Sequence, residues 1–166
     1  RTYFDFRDMM GANANGGFPY TPPLQLIYGL RESLNMIFEE GLDNVYARHH
    51  RLAEGVRQAV SAWGLKLCAQ SPNLYSDTVS AIFVPKGFDS NELTEHAFNT
   101  YNVSFGIGLG EMNTKAFRIG HLGALTDVMV LSGLAAIEMA MADLDYPIKL
   151  GSGVAAAQQY FRTTAN

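Results

Sequence analysis

The feature that most restricts what this chain can fold into is the run from Val128 to Ala142. It is apolar throughout except for small interruptions at Ser132 and Glu138. A helix that crosses a bilayer needs about 20 apolar residues in succession, and this run is shorter. It therefore reads as a helix that must be packed inside a protein core, and the rest of the chain must supply that core.

The pattern on either side supplies the partners. Leu26, Ile27, Leu30, Leu34, Ile37 and Phe38 recur at helical spacing, after Thr21 as a cap and Pro22 and Pro23 in a first turn, with Gly41 as the stop. A second helix is expected from about Asp43 to Trp63. Its apolar side is Val45, Leu52, Val56 and Val60, with Arg48, Arg51 and Arg57 elsewhere, and Gly64 ends it. Short strands follow at Leu65–Cys68 and Val79–Val84, the latter closed by Pro85. Ser90 caps a helix over 91–100 that buries Leu93 and Phe98, and Val103–Phe105 and Phe117–Gly120 read as strands. Thr126 or Asp127 opens the long apolar helix, and Gly151–Arg162 holds a further helical turn or two. Ahead of all this, Tyr3, Phe4 and Phe6 form an aromatic start, and Gly11–Gly17 reads as a loop of small residues. The order is that of an α+β domain, with helices on one face of a small sheet. A domain boundary is expected in or near the helix over 45–64.

Composition sets bounds on partners. Charged residues are 17% of the chain and the net charge is −4, so no broad basic surface exists and nucleic acid is not an expected partner. No membrane partner is expected either. Cys68 is the only cysteine, which suits a reducing compartment. The chain opens on Arg1 in structured-looking sequence, which is the expectation for a fragment, and it ends Thr-Thr-Ala-Asn with no peroxisomal signal, so a bacterial cytoplasmic location is expected.

Arg118 is the first candidate for chemistry. It sits in Phe117-Arg-Ile-Gly-His-Leu-Gly123, among apolar residues and glycines. An arginine there needs an anion, because an unpaired buried charge is strongly unfavourable, and its planar fork grips a carboxylate at two points. That anion is a substrate carboxylate on one reading and an Asp or Glu of the chain on the other. Gly106, Gly108 and Gly110 let backbone approach a ligand, or else form a simple turn. Thr21, at a helix start after a glycine-rich loop, is either an anion site or an ordinary cap. His121 is close enough in sequence to share a site with Arg118, and is otherwise a hydrogen-bonded structural histidine. His49, His50 and His96 show no metal-ligand spacing.

Several stretches taken together resemble class V aminotransferases of fold type I. They are Phe4-Asp-Phe-Arg-Asp-Met9, Phe18-Pro-Tyr-Thr-Pro22, Tyr28-Gly-Leu-Arg-Glu-Ser-Leu34, Glu40-Gly-Leu-Asp-Asn44, Gly106-Ile-Gly-Leu-Gly110 and Phe117-Arg-Ile-Gly-His-Leu-Gly123. The C-terminal Tyr146-Pro-Ile-Lys-Leu-Gly-Ser-Gly-Val-Ala-Ala-Ala157 is similar to the serine–glyoxylate group, beside which stands the alanine–glyoxylate group. The resemblance implies pyridoxal 5'-phosphate as cofactor and transfer of an amino group from serine, alanine or aspartate to glyoxylate, giving glycine. It implies that residues 1–45 are the end of the large α/β cofactor-binding domain, and 46–166 the small α+β C-terminal domain. It matches Arg118 to the arginine that binds the substrate carboxylate, and Gly106 and Gly108 to a loop lining the substrate pocket. Thr21 matches a residue that reaches the cofactor phosphate from the neighbouring subunit of a homodimer. Phe18 stands where some members carry a tyrosine for that phosphate, and Tyr20 offers a replacement hydroxyl. The Schiff-base lysine, which would also shuttle the proton, is expected upstream of this chain. Lys66, Lys86, Lys115 and Lys149 lie in unrelated contexts, so no catalytic residue is assigned here.

Two other readings stand beside this one. A lyase or decarboxylase on the same fold would use Arg118 in the same way. A non-catalytic module would be stable and soluble by itself, and the apolar helix after Tyr20 speaks against it, since so many apolar residues call for a partner surface.

Overall fold

The computed structural model describes residues 5–164, and the chain divides into two compact units, Arg1–Leu42 and Asp43–Asn166. Tyr3 and Phe4 of the aromatic start, Arg1, and the final Ala165 and Asn166 lie outside the described residues.

The first unit holds α1 (Phe6–Asn13) and α2 (Leu24–Glu40). The loop expected from Gly11 onward begins later, because Asp5 caps α1 by accepting from the Arg7 amide and the helix runs through Gly11 to Asn13. The start of α2 also differs from expectation. Its cap position is Pro23, with no side-chain cap bond, so Thr21 lies ahead of the helix instead of capping it. A proline disfavours helical backbone in the residue before it, which keeps Thr21 and Pro22 out of the first turn. No described residue of this unit is buried, and Leu26, Tyr28, Leu30 and Phe38 are each more than half exposed.

The second unit holds α3 (Leu42–Ala62), β1 (Lys66–Leu67), β2 (Val79–Phe83), α4 (Ser90–Tyr101), β3 (Gly106–Ile107), β4 (Ala116–Gly120), α5 (Asp127–Asp143) and α6 (Ser152–Thr163). The four strands form one antiparallel sheet in the order β1-β2-β4-β3. The third strand lies just after the Val103–Phe105 segment expected for it. Alternation along β2 and β4 turns Ser80, Ile82, Phe117 and Ile119 toward the core and Ala81 and Arg118 to the other face. The core joins Leu52 and Val56 of α3, Leu93 of α4, Leu134, Ile137 and Met141 of α5, and Phe161 of α6 to that inner face.

The caps explain the helix limits. Asp89, not Ser90, caps α4 through the Asn91 amide, and Thr126 caps α5 through the Met129 amide. Glu138, the charge inside the apolar run, is fully buried and accepts from the amides of Gly153 and Val154, so it caps α6 from the body of α5. Among the described residues no helix is long and apolar enough to cross a membrane.

One expectation about burial fails. Phe98 is 57% exposed, because α4 turns Leu93 and Ala97 inward instead. Arg57, read from the sequence as off the apolar side of its helix, is not left in water. It is buried against Glu54, Asp77 and the carbonyl of Ser76, with its guanidinium 5.1 Å from the centre of the Tyr75 ring.

Candidate functional site

Arg118 lies at the middle of β4, in register with Ala81 of β2 on one side and Gly106 of β3 on the other. A methyl group and a hydrogen leave a shallow seat on the outer face of the sheet, and the arginine stem occupies it. Its Nε donates to the carbonyl of Ile107 at 2.9 Å. A Cβ built on Gly106 would stand 3.1 Å from that Nε and 3.3 Å from Cζ, so glycine at this position is what lets the side chain lie flat.

Arg118 differs from Arg51 and Arg57 in its partners. Arg51 makes a two-point contact with Asp127, and Arg57 pairs with Glu54 and Asp77. No Asp or Glu pairs with Arg118 among the described residues. With Nε committed to Ile107, the two terminal nitrogens are left for a partner, and a guanidinium can grip a carboxylate at two points. A cavity of 210 Å³ adjoins it, walled mainly by Leu67, Leu74, Tyr75, Val79 and Ala81. Apolar walls strengthen a charge contact made beside them.

Gly108 sits in the same segment for a different local reason. A Cβ there would fall 2.0 Å from the carbonyl oxygen of Met112 and 2.8 Å from that of Ala116, so the turn after β3 closes only over a glycine. Gly106 thus lies under the Arg118 side chain, and Gly108 lies in the turn against Met112 and Ala116.

His121 does not share that face. It is fully buried; its Nδ1 lies 3.1 Å from the carbonyl of Asp77 and its Nε2 3.0 Å from Ser80 Oγ. A carbonyl only accepts, so Nδ1 carries the proton and Nε2 accepts from the serine hydroxyl. Burial pushes the ring below its ordinary value and holds it neutral.

Tyr20 and Thr21 lie in the first unit, both exposed. The α2 start that follows has no acidic residue in its first turn and no side-chain cap. A hydroxyl ahead of an uncapped helix N-terminus fits an anion such as the phosphate end of pyridoxal phosphate. Lys66, Lys86, Lys115 and Lys149 are all exposed. Among the described residues no three His, Cys, Asp or Glu come together as a metal site.

The sequence reading missed the Arg57–Asp77 pair and the Asp77–His121–Ser80 contacts. Glu54 three residues before Arg57 was a visible signal for part of it, but nothing local points to Asp77.

No protein-family profile matches the chain. Among curated relatives, it is 63% identical over 164 residues to the L-aspartate–glyoxylate aminotransferase of Paracoccus denitrificans, covering 99% of this chain and 41% of the relative. It is 58% identical over 165 residues to the serine–glyoxylate aminotransferase of Hyphomicrobium methylovorum, with 99% and 41% covered. The chain therefore spans about two fifths of the length of these relatives. Among solved structures, the pyridoxamine–pyruvate aminotransferase of Mesorhizobium loti superposes with a TM-score of 0.83 at 34% identity, over 89% of this chain and 38% of that one. The ureidoglycine–glyoxylate aminotransferase of Bacillus subtilis gives 0.86 at 23% identity over 98% and 42%, and so shares the fold. By sequence and by fold, this chain is similar to about two fifths of these aminotransferases, in line with its resemblance to class V aminotransferases of fold type I.

Proposed function

We propose that the chain forms part of a pyridoxal-phosphate-dependent transaminase that moves the amino group of serine, alanine or aspartate to glyoxylate and yields glycine. The observation that carries this reading is Arg118: seated on Gly106, fixed through Nε to Ile107, and without a carboxylate partner among the described residues. Its fork holds the α-carboxylate of the amino donor and then the carboxylate of glyoxylate. One group with one geometry thus serves both halves of the exchange, since both substrates carry that carboxylate. The two-point grip fixes the plane of the carboxylate and so the direction of the bonds at the neighbouring carbon. The cofactor, when bound, supplies the electron sink and carries the amino group between the two half-reactions. The relatives' names, aspartate–glyoxylate and serine–glyoxylate aminotransferase, support the donor and acceptor classes.

In this reading residues 1–45 end the large cofactor-binding domain and 46–166 are the small domain. Thr21, with Tyr20 beside it, donates a hydroxyl to the cofactor phosphate of a neighbouring subunit. The exposed apolar residues of α2 support a homodimer, because monomers seldom leave so much contiguous apolar surface in water. The Schiff-base lysine comes from a part of the protein outside this chain.

The test is product analysis with the full-length protein, pyridoxal phosphate, each donor and glyoxylate. Glycine and the matching keto acid in equal amounts are expected. Release of carbon dioxide or ammonia without glycine would identify a decarboxylase or lyase instead. In Arg118→Lys the donor's apparent KM should rise about tenfold or more, since lysine keeps the charge and loses the two-point fork. An unchanged KM for both donor and glyoxylate would remove Arg118 from this role.

A further inference from the structure

The segment that carries Arg118 ends in residues whose side chains bury little. Of residues 120–124 only His121 is buried; Gly120, Leu122, Gly123 and Ala124 are exposed. Two of those are glycines, with no side chain to seat a strand end. Yet β4 must hold its register, because a strand that slips by one residue turns Arg118 into the core.

His121 supplies three anchors at that end. Its amide donates to the carbonyl of Thr78 at 2.9 Å, which extends the β2–β4 ladder one step beyond Gly120. Its Nδ1 donates to the Asp77 carbonyl, and its Nε2 accepts from Ser80. Asp77 is itself fixed, since its carboxylate takes Arg57 at 2.8 Å and His50 at 3.0 Å. Two residues on, Arg48 Nη1 donates to the Gly123 carbonyl at 2.7 Å, and the Gly123 amide donates to His49 Nε2 at 2.9 Å. The chain leaving Arg118 is therefore tied to α3 directly at Gly123, and at His121 through Asp77.

We propose that His121, with Ser80 as its partner, is a positioning residue for Arg118, pegging the end of β4 on the buried side so that the fork on the open side keeps one orientation. The proposal rests on Arg118 binding the substrate carboxylate. Ser80 pairs with Ile119 across the ladder, so its hydroxyl reaches His121 from the strand next to β4 and fixes the two strands against each other. His121 touches no substrate in this account. It acts through the two residues of strand between it and Arg118, Ile119 and Gly120.

The test is a double-mutant cycle in the full-length holoenzyme, using Ser80→Ala, His121→Asn and Arg118→Lys. Ser80→Ala removes one hydroxyl and leaves the backbone alone; His121→Asn keeps a donor for the Asp77 carbonyl and loses the Ser80 contact. Each should raise the apparent KM for the amino donor about threefold to tenfold, the usual scale for one lost hydrogen bond, with kcat held within about twofold. Combined with Arg118→Lys, neither should add more than about 1.5-fold, because the fork it positions is already gone. A KM within twofold of wild type for both variants, whatever their melting temperature, overturns the proposal. So does a KM effect that multiplies in full with that of Arg118→Lys, since a general loosening of the fold would do that. If Arg118→Lys alone leaves KM unchanged, the carboxylate reading itself falls, and the positioning role falls with it.

Discussion

Replacing Gly106 with alanine asks the seat of Arg118 a direct question. The backbone at Gly106 is in ordinary strand geometry, so alanine meets no conformational penalty there. The whole effect comes from one methyl group placed 3.1 to 3.3 Å from Nε, Cβ and Cζ of Arg118. Ordinary contacts lie beyond those distances, so the side chain must yield by a few tenths of an ångström. That shift weakens the Nε–Ile107 bond and turns the fork away from its partner. A hydrogen bond involving a charged group is worth about 1.5–3 kcal/mol, and a partial loss of one or two amounts to about 1–2 kcal/mol. At about 1.4 kcal/mol per factor of ten, the donor's apparent KM should rise about fivefold to thirtyfold. Steady-state kinetics with serine or aspartate against glyoxylate would measure it. Cofactor absorbance and melting temperature should stay close to wild type, because β3 is a two-residue edge strand and the sheet does not depend on the guanidinium. A folded, cofactor-loaded Gly106→Ala protein with donor KM within twofold of wild type would refute the seat, the fork, or both.

Gly55→Ala should destabilise the second unit, because its Cβ would stand 2.1 Å from Cζ of Phe161, a ring only 3% exposed with nowhere to swing. Overpacking of this kind is worth about 1–3 kcal/mol, or several degrees in Tm, and a Tm within about one degree of wild type would contradict the packing. His121 predicts a pH effect on stability. Burial sets its folded value below the ordinary 6.5, so its contribution is complete above that pH and is lost as pH falls below it. Melting temperature should drop between about pH 7 and 5 and drop less in His121→Asn; equal slopes would contradict the assignment. Asp77 is a separate case: burial raises it, but the hydrogen bonds from Arg57 and His50 lower it further, so its contribution is lost only below its ordinary 3.8. In the homodimer proposed above, Leu30→Glu with Phe38→Glu should shift the full-length protein to monomer, since each side chain buried at an interface contributes about 1.5–3 kcal/mol. Light scattering would show it, and an intact dimer at micromolar concentration would place the interface elsewhere.

Much of the fold was legible because it depends on local patterns. Gly41 and Gly64, with φ of +83° and +72°, follow α2 and α3 where a helix stop was expected, and Thr126 caps α5. The apolar run is the helix it was read as, with its one charge turned into a cap for α6. What was not legible depends on distant partners. Phe98 and Ala97 are neighbours on α4, and only the position of the sheet decides which is buried. The burial of Arg57 could not be read locally because its partner Asp77 is twenty residues away. Thr21 looked like a cap because a hydroxyl before two prolines is a common start, yet the prolines themselves moved the first turn to Leu24. Arg118 could be singled out from its apolar and glycine neighbours alone. Which face it takes, and that Gly106 makes its seat, needed the strand register.

The central claim is that this chain gives a transaminase its grip on the substrate carboxylate. Comparing donor KM, glyoxylate KM and glycine yield in wild-type and Arg118→Lys full-length holoenzyme tests it most directly. The account predicts stoichiometric glycine and keto acid from the wild type. It predicts that both KM values rise together in the variant, with cofactor absorbance unchanged, because one fork serves both carboxylates. Normal KM values in the variant, or a wild type that consumes the amino acid without making glycine, would contradict it.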